Sequence, residues 1–87
     1  MMVVIAAGIF FRVSNTEWLV LTLTMTLVMA AEGFNTALEF LTDLVSPNYH
    51  ELAGKTKDVA AGAVLITAIG AIVIGMIIFV PKIMTYL

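Results

Sequence analysis

The residues able to do chemistry are few and lie close together. Glu32, Asn35, Thr36, Glu39 and Asp43 fall within twelve positions of an otherwise apolar stretch. On a helix turning about 100° per residue, with Glu32 at 0°, Asn35 falls near about -60°, Glu39 near about -20°, Asp43 near about +20° and Thr36 near about +40°. One arc of one helix thus carries three carboxylates and an amide. Glu32 follows fourteen uncharged residues, Trp18 to Ala31. A carboxylate that far into an apolar helix is costly unless it is paired, hydrated or neutralised. Such a face points to a bound cation, a proton path or a catalytic site. Asp43 on its own reads as the solvated end of the helix.

Carboxylates at i and i+7 can serve one site in two roles. One can ligate Mg²⁺, which prefers oxygen ligands and shares its shell with phosphates and water. The other can accept a proton from a hydroxyl nucleophile. Phosphoryl transfer also needs positive charge beside the phosphates. Gly54-Lys55-Thr56-Lys57-Asp58 can supply it, although two lysines beside a membrane also read as plain anchors. No Walker motif and no protein-kinase glycine loop is present. His50 lacks the second His, Cys or spaced acid of a zinc site and reads as a solvated loop residue. Ser14 and Ser46 read as loop serines without a partner base, which argues against a Ser-His-Asp hydrolase.

The elements that must carry these residues follow from composition. The chain has 87 residues, 62% hydrophobic and 11% charged, with a mean hydropathy of +1.12. A soluble domain is nearer half apolar and a quarter charged. Four Lys+Arg and a net charge of -2 argue against a nucleic-acid partner. The absence of cysteine removes disulfides, thiolate metal sites and a Cys nucleophile. What remains is a small, all-α integral membrane protein, expected to be one domain over 1–87.

A crossing helix needs about 20 mostly apolar residues. Val59 to Val80 is charge-free and bounded by Lys57-Asp58 and Pro81-Lys82, so a helix is expected over 58–81. A second is expected over 17–45, stopped by Ser46-Pro47-Asn48. A loop over 46–57 joins them. Residues 1–12 are expected to form only part of a first membrane helix, because Met1 to Phe11 rises about 17 Å against a hydrocarbon core of about 30 Å. Lys55 and Lys57 put the 46–57 loop on the cytoplasmic side of a bacterial plasma or inner membrane by the positive-inside rule. Trp18 and Tyr86 then sit at the outer interface and Tyr49 at the inner one. Ala63, Thr67, Ala71 and Gly75 form a small-residue ridge suited to close helix packing, and such short helices are expected to associate.

These residues also form a familiar pattern. Glu32-Gly33-Phe34-Asn35-Thr36-Ala37-Leu38-Glu39, then Asp43, Tyr49-His50, and Ala53-Gly54-Lys55-Thr56-Lys57-Asp58-Val59-Ala60-Ala61-Gly62-Ala63-Val64 resembles the prokaryotic diacylglycerol kinase family. That family includes the undecaprenol kinases. The resemblance covers roughly Asn15 to the C-terminus. It implies a homotrimer of three-helix subunits with composite active sites at the cytoplasmic membrane surface. It further implies ATP-dependent phosphorylation of a membrane lipid alcohol, with Mg²⁺. By the family pattern Glu32 is the general base toward the lipid hydroxyl and Asn35 helps to position it. Glu39 ligates the Mg²⁺ of MgATP, Lys57 contacts the ATP phosphates, and Gly54 and Asp58 line the nucleotide site. The Ala60-Ala61-Gly62-Ala63-Val64-Leu65 run and the Ile78-Phe79-Val80-Pro81-Lys82 ending favour undecaprenol as substrate, with diacylglycerol as the alternative.

The chain departs from the family at its start. Members begin with a basic amphipathic helix and the cytoplasmic half of the first membrane helix, a region that brings a second glutamate to the metal. No acidic residue precedes Glu17 here. The expectation is therefore an N-terminally truncated chain whose activity by itself is poor. The competing class is a non-enzymatic membrane protein, such as an ion or proton conductor using Glu32 and Glu39. It leaves the Lys57-Asp58 pair unexplained.

Overall fold

A computed structural model describes all residues, 1–87. It is all helical: α1 spans Met2–Phe10, α2 Asn15–Val45 and α3 Glu51–Tyr86. The last two form a long antiparallel hairpin within an envelope of 54 × 18 × 18 Å. Both are long and apolar enough to cross a bilayer. Only five residues are buried, including Val13, Leu21, Ala60 and Ile78. In lipid this is no defect. Hydrocarbon is as apolar as leucine, so the helices associate through close contact rather than through removal of apolar area from water.

Three boundaries differ from the sequence expectation. α2 begins at Asn15, two residues before the expected 17, because Ser14 and Glu17 close a reciprocal cap. The Glu17 amide donates to Ser14 Oγ at 3.1 Å and the Ser14 amide to Glu17 Oε1 at 2.9 Å. Ser14 is therefore a cap rather than an idle loop residue. The loop expected over 46–57 shrinks to 46–50. The charged segment Glu51 to Asp58 is the first two turns of α3, capped by His50 Nδ1, which accepts from the Leu52 amide at 3.1 Å. Charge marks where a helix leaves lipid, not where it ends; Lys55 and Glu51 even pair one turn apart at 3.5 Å. At the far end α3 runs through Pro81 to Tyr86 instead of stopping at 81. Proline removes one backbone bond there, but the neighbouring turn persists, with Thr85 Oγ1 donating to the Pro81 carbonyl at 3.0 Å.

α1 folds back against the hairpin. Its C-terminus is a Schellman turn: the Val13 amide donates to the Gly8 carbonyl and the Arg12 amide to the Ile9 carbonyl. Arg12 takes the left-handed position at φ 53°, where glycine is the unstrained choice. Gly8 lies against Trp18 so closely that a β-carbon there would meet the indole at 2.5 Å. Val13, Leu21 and Ile78 form the small core, flanked by Val4, Trp18, Ile74 and Phe79. Phe11 packs on Phe79 and Tyr86 with ring centroids 6.1 and 5.6 Å apart. Along the hairpin, Thr67, Ala71 and Gly75 of the expected small-residue ridge are half-buried, whereas Ala63 is exposed. The ridge therefore serves the α2–α3 seam over its lower three positions only.

Candidate active site

α2 sets the depth of every acidic group. Placing Trp18 at one hydrocarbon boundary, the 1.5 Å rise carries the helix about 21 Å by Glu32, about 31 Å by Glu39 and about 37 Å by Asp43. Against a core of about 30 Å, Glu32 lies about 9 Å inside, Glu39 at the boundary and Asp43 in water. Glu32, Glu39 and Asp43 are all exposed in the single chain, on the flank of α2 beside the seam.

Asn35 behaves differently. It falls in the half-buried row of α2, with Val28, Ala31 and Thr42, that packs on α3. Its Oδ1 is buried and has no hydrogen-bond partner. An orphaned amide oxygen in a helix seam is unfavourable and calls for a donor from outside the chain's own side chains. Asn35 thus shares the acidic arc in sequence but not its exposure.

α3 brings the cations to the aqueous end. Lys57, just outside the charge-free Val59–Val80 stretch, forms an ion pair and hydrogen bond with Asp43 across the seam. That hydrogen bond is the main reason its ammonium is held above the usual lysine range; desolvation opposes it, and the charges of Asp43 and then Glu39 add to it. Glu39 is therefore within electrostatic reach of the same ammonium. Asp43, Lys57 and Gly54 line a polar cleft of about 200 Å³ together with Thr42, Ser46 and His50. Asp58 is exposed and makes no side-chain hydrogen bond or ion pair.

The structure thus joins Lys57, Gly54 and the Glu39 end of the acidic row, and leaves Glu32 deeper. About 16 Å of helix axis separates Glu32 from the Asp43–Lys57 level. No three His, Cys, Asp or Glu side chains gather tightly enough to cage a metal unaided. A single boundary carboxylate is the kind of donor that an oxygen-preferring divalent ion arriving with phosphates takes.

Sequence reasoning missed Asp43 as the partner of Lys57. The signal was present: Asp43 and Lys57 both lie within two turns of the short connection 46–50, so an antiparallel hairpin can bring them together. At the other end of the hairpin Glu17 pairs with Lys82 at 3.0 Å.

A model of the prokaryotic diacylglycerol kinase family matches residues 1–79. The chain is 38% identical over 79 residues to undecaprenol kinase of Bacillus subtilis, covering 91% of this chain and 64% of that protein. It is 45% identical over 83 residues to diacylglycerol kinase of Synechocystis, covering 94% and 47% respectively. With diacylglycerol kinase of Escherichia coli K12 it shares 45% identity over 47 residues, 54% of this chain and 38% of that one. The chain spans about half to just under two thirds of the length of the first two relatives. No solved structure matches it. With the family match running over nearly its whole length, the chain belongs to the prokaryotic diacylglycerol kinase family.

Proposed function

We propose that the protein transfers the γ-phosphoryl group of ATP to the hydroxyl of a membrane lipid. The observation that carries this reading is the descending row on one helix flank. With Trp18 taken at one boundary, the helix rise puts Asp43 and its partner Lys57 in water, Glu39 at the boundary and Glu32 inside. The order suits a water-soluble phosphate donor meeting an alcohol anchored in lipid. Lys57 holds the phosphates as a point charge, beside Gly54 and Asp58. Glu39 would hold Mg²⁺ jointly with the phosphates, where the ion neutralises charge that develops during transfer. Glu32 takes the proton from the lipid hydroxyl as its oxygen bonds to the γ-phosphorus, and the bond to the β-phosphate oxygen breaks to release ADP. Asn35, one turn along α2 from Glu32, helps to position the base, and its own unpartnered Oδ1 is buried.

Glu32 has no partner in its own chain, yet it lies at membrane depth. Neighbouring copies would cover it and complete the site, which supports a homotrimer with shared active sites. Lys55 and Lys57 support a cytoplasmic location for this end. Undecaprenol is the favoured acceptor and diacylglycerol the alternative; the two relatives of longest overlap bear one name each.

The test is transfer of labelled phosphate from MgATP in vesicles holding equal amounts of undecaprenol and diacylglycerol. Label in undecaprenyl phosphate is expected. Label in phosphatidic acid alone would replace the acceptor, and label in neither would remove the kinase reading.

A further inference from the structure

Lys57 and Asp43 are more exposed than their counterparts at the other end of the hairpin. Their side chains are 39% and 61% accessible, against 25% and 27% for Lys82 and Glu17. A pair this open contributes little to stability. Its geometry has another consequence. A lysine ammonium carries three donors on a flexible stem. Asp43 takes one of them, and this is the hydrogen bond that Lys57 makes within the chain. Two donors remain, and Lys57 lines the polar cleft together with Gly54 and His50.

We propose that Asp43 is a positioning residue: it fixes the Lys57 side chain across the seam, so that its two free donors stand ready for nucleotide phosphates. The inference rests on the reading of Lys57 as the phosphate contact. Asp43 reaches across from a different helix, so it sets the direction of the stem. Glu39, one turn below on α2, faces the same ammonium electrostatically. The side chain is thereby placed above the boundary carboxylate rather than swinging free in water. Fixing it beforehand lowers the entropy lost when phosphates bind. Asp43 touches neither nucleotide nor lipid; it acts through Lys57.

The experiment measures binding of the magnesium complex of AMP-PNP, a non-transferable ATP analogue, to the full chain in lipid vesicles. It also measures KM for MgATP and for the lipid alcohol. Asp43→Asn is expected to weaken analogue binding about tenfold and to leave KM for the lipid unchanged, while Asp43→Glu recovers to within about threefold. In a Lys57→Met background, Asp43→Asn should change binding by less than about twofold, because the route through the ammonium is already gone. An unchanged or tighter affinity in Asp43→Asn would overturn the proposal. So would an equal loss with and without Lys57, or a parallel rise in KM for the lipid, which would mark a merely structural role. A wild-type chain that binds the analogue but transfers no phosphate would refute the kinase reading alone, and the variant comparison would still decide the role of Asp43. A wild-type chain that binds no analogue would overturn both.

Discussion

The two ends of the α2–α3 hairpin are built to opposite rules. At the α1 end, Trp18 lies on Gly8, Val13 and Ile78 are buried, and three aromatic rings stack over the top of α3. The ion pair there, Glu17–Lys82, is three quarters covered. At the other end the turn is short, the side chains are polar and the ion pair is open. Four of the five buried residues, Gly8, Val13, Leu21 and Ile78, lie toward the closed α1 end, and the fifth, Ala60, lies toward the open one. The chemistry-bearing groups lie from about 21 Å (Glu32) to about 37 Å (Asp43) along α2 from Trp18 at the closed end. A scaffold closed at one end lets the other end stay exposed to a nucleotide and to lipid. Binding groups need that access, and buried packing would deny it.

Substitutions at the two ends should therefore separate function from folding. The largest effect belongs to the open end. Glu32→Gln is expected to lower turnover by about 10²- to 10⁴-fold through loss of the base, while the emission of Trp18, the single tryptophan of the chain, stays unchanged. A variant that loses fold and rate together would erase the distinction. Next comes Gly8→Leu. It drives a side chain into the indole and should cost about 1–3 kcal/mol by overpacking, read as a lower melting temperature in detergent and a shifted Trp18 emission.

The smallest effect is that of acid on Glu17, which lies outside the uncharged stretch that begins at Trp18. The Ser14 backbone hydrogen bond, then the hydrogen bond to Lys82, holds its carboxyl below the usual carboxylate range. A depressed folded-state value means that the stabilisation is complete above the ordinary carboxylate pKa. It is lost as pH falls through the lowered one. Acidification from neutrality should therefore leave Trp18 emission steady through mildly acidic pH and change it only below the usual carboxylate range. Lys82→Met should move that change to higher pH. A Trp18 signal that ignores both would detach the cap from the closed end.

The same contrast explains what was legible in the sequence. The acidic arc from Glu32 to Asp43 and the stop at Val45 were readable, because helical period and Ser46-Pro47 are local signals. The start of α3 was not. Lys55 and Lys57 read as a loop because hydropathy reports depth in lipid rather than backbone conformation. Misplacing that boundary hid the register, and with it the Asp43–Lys57 pair. The Ser14-to-Glu17 cap was written plainly as Ser-x-x-Glu but sat between two segments judged on hydropathy alone. The inward turn of Asn35 depended on which side α3 packs, which is tertiary information.

The central claim is that the acidic row divides into a base inside the membrane and a metal ligand at its boundary. Phosphate transfer measured against Mg²⁺ concentration, at saturating ATP, tests it most directly in wild type, Glu32→Gln and Glu39→Gln. Glu39→Gln is expected to need about tenfold or more Mg²⁺ for half-maximal rate and to recover part of its turnover at high Mg²⁺. Glu32→Gln is expected to keep the wild-type midpoint at a much lower plateau. The same shift of midpoint in both variants would contradict the division of roles.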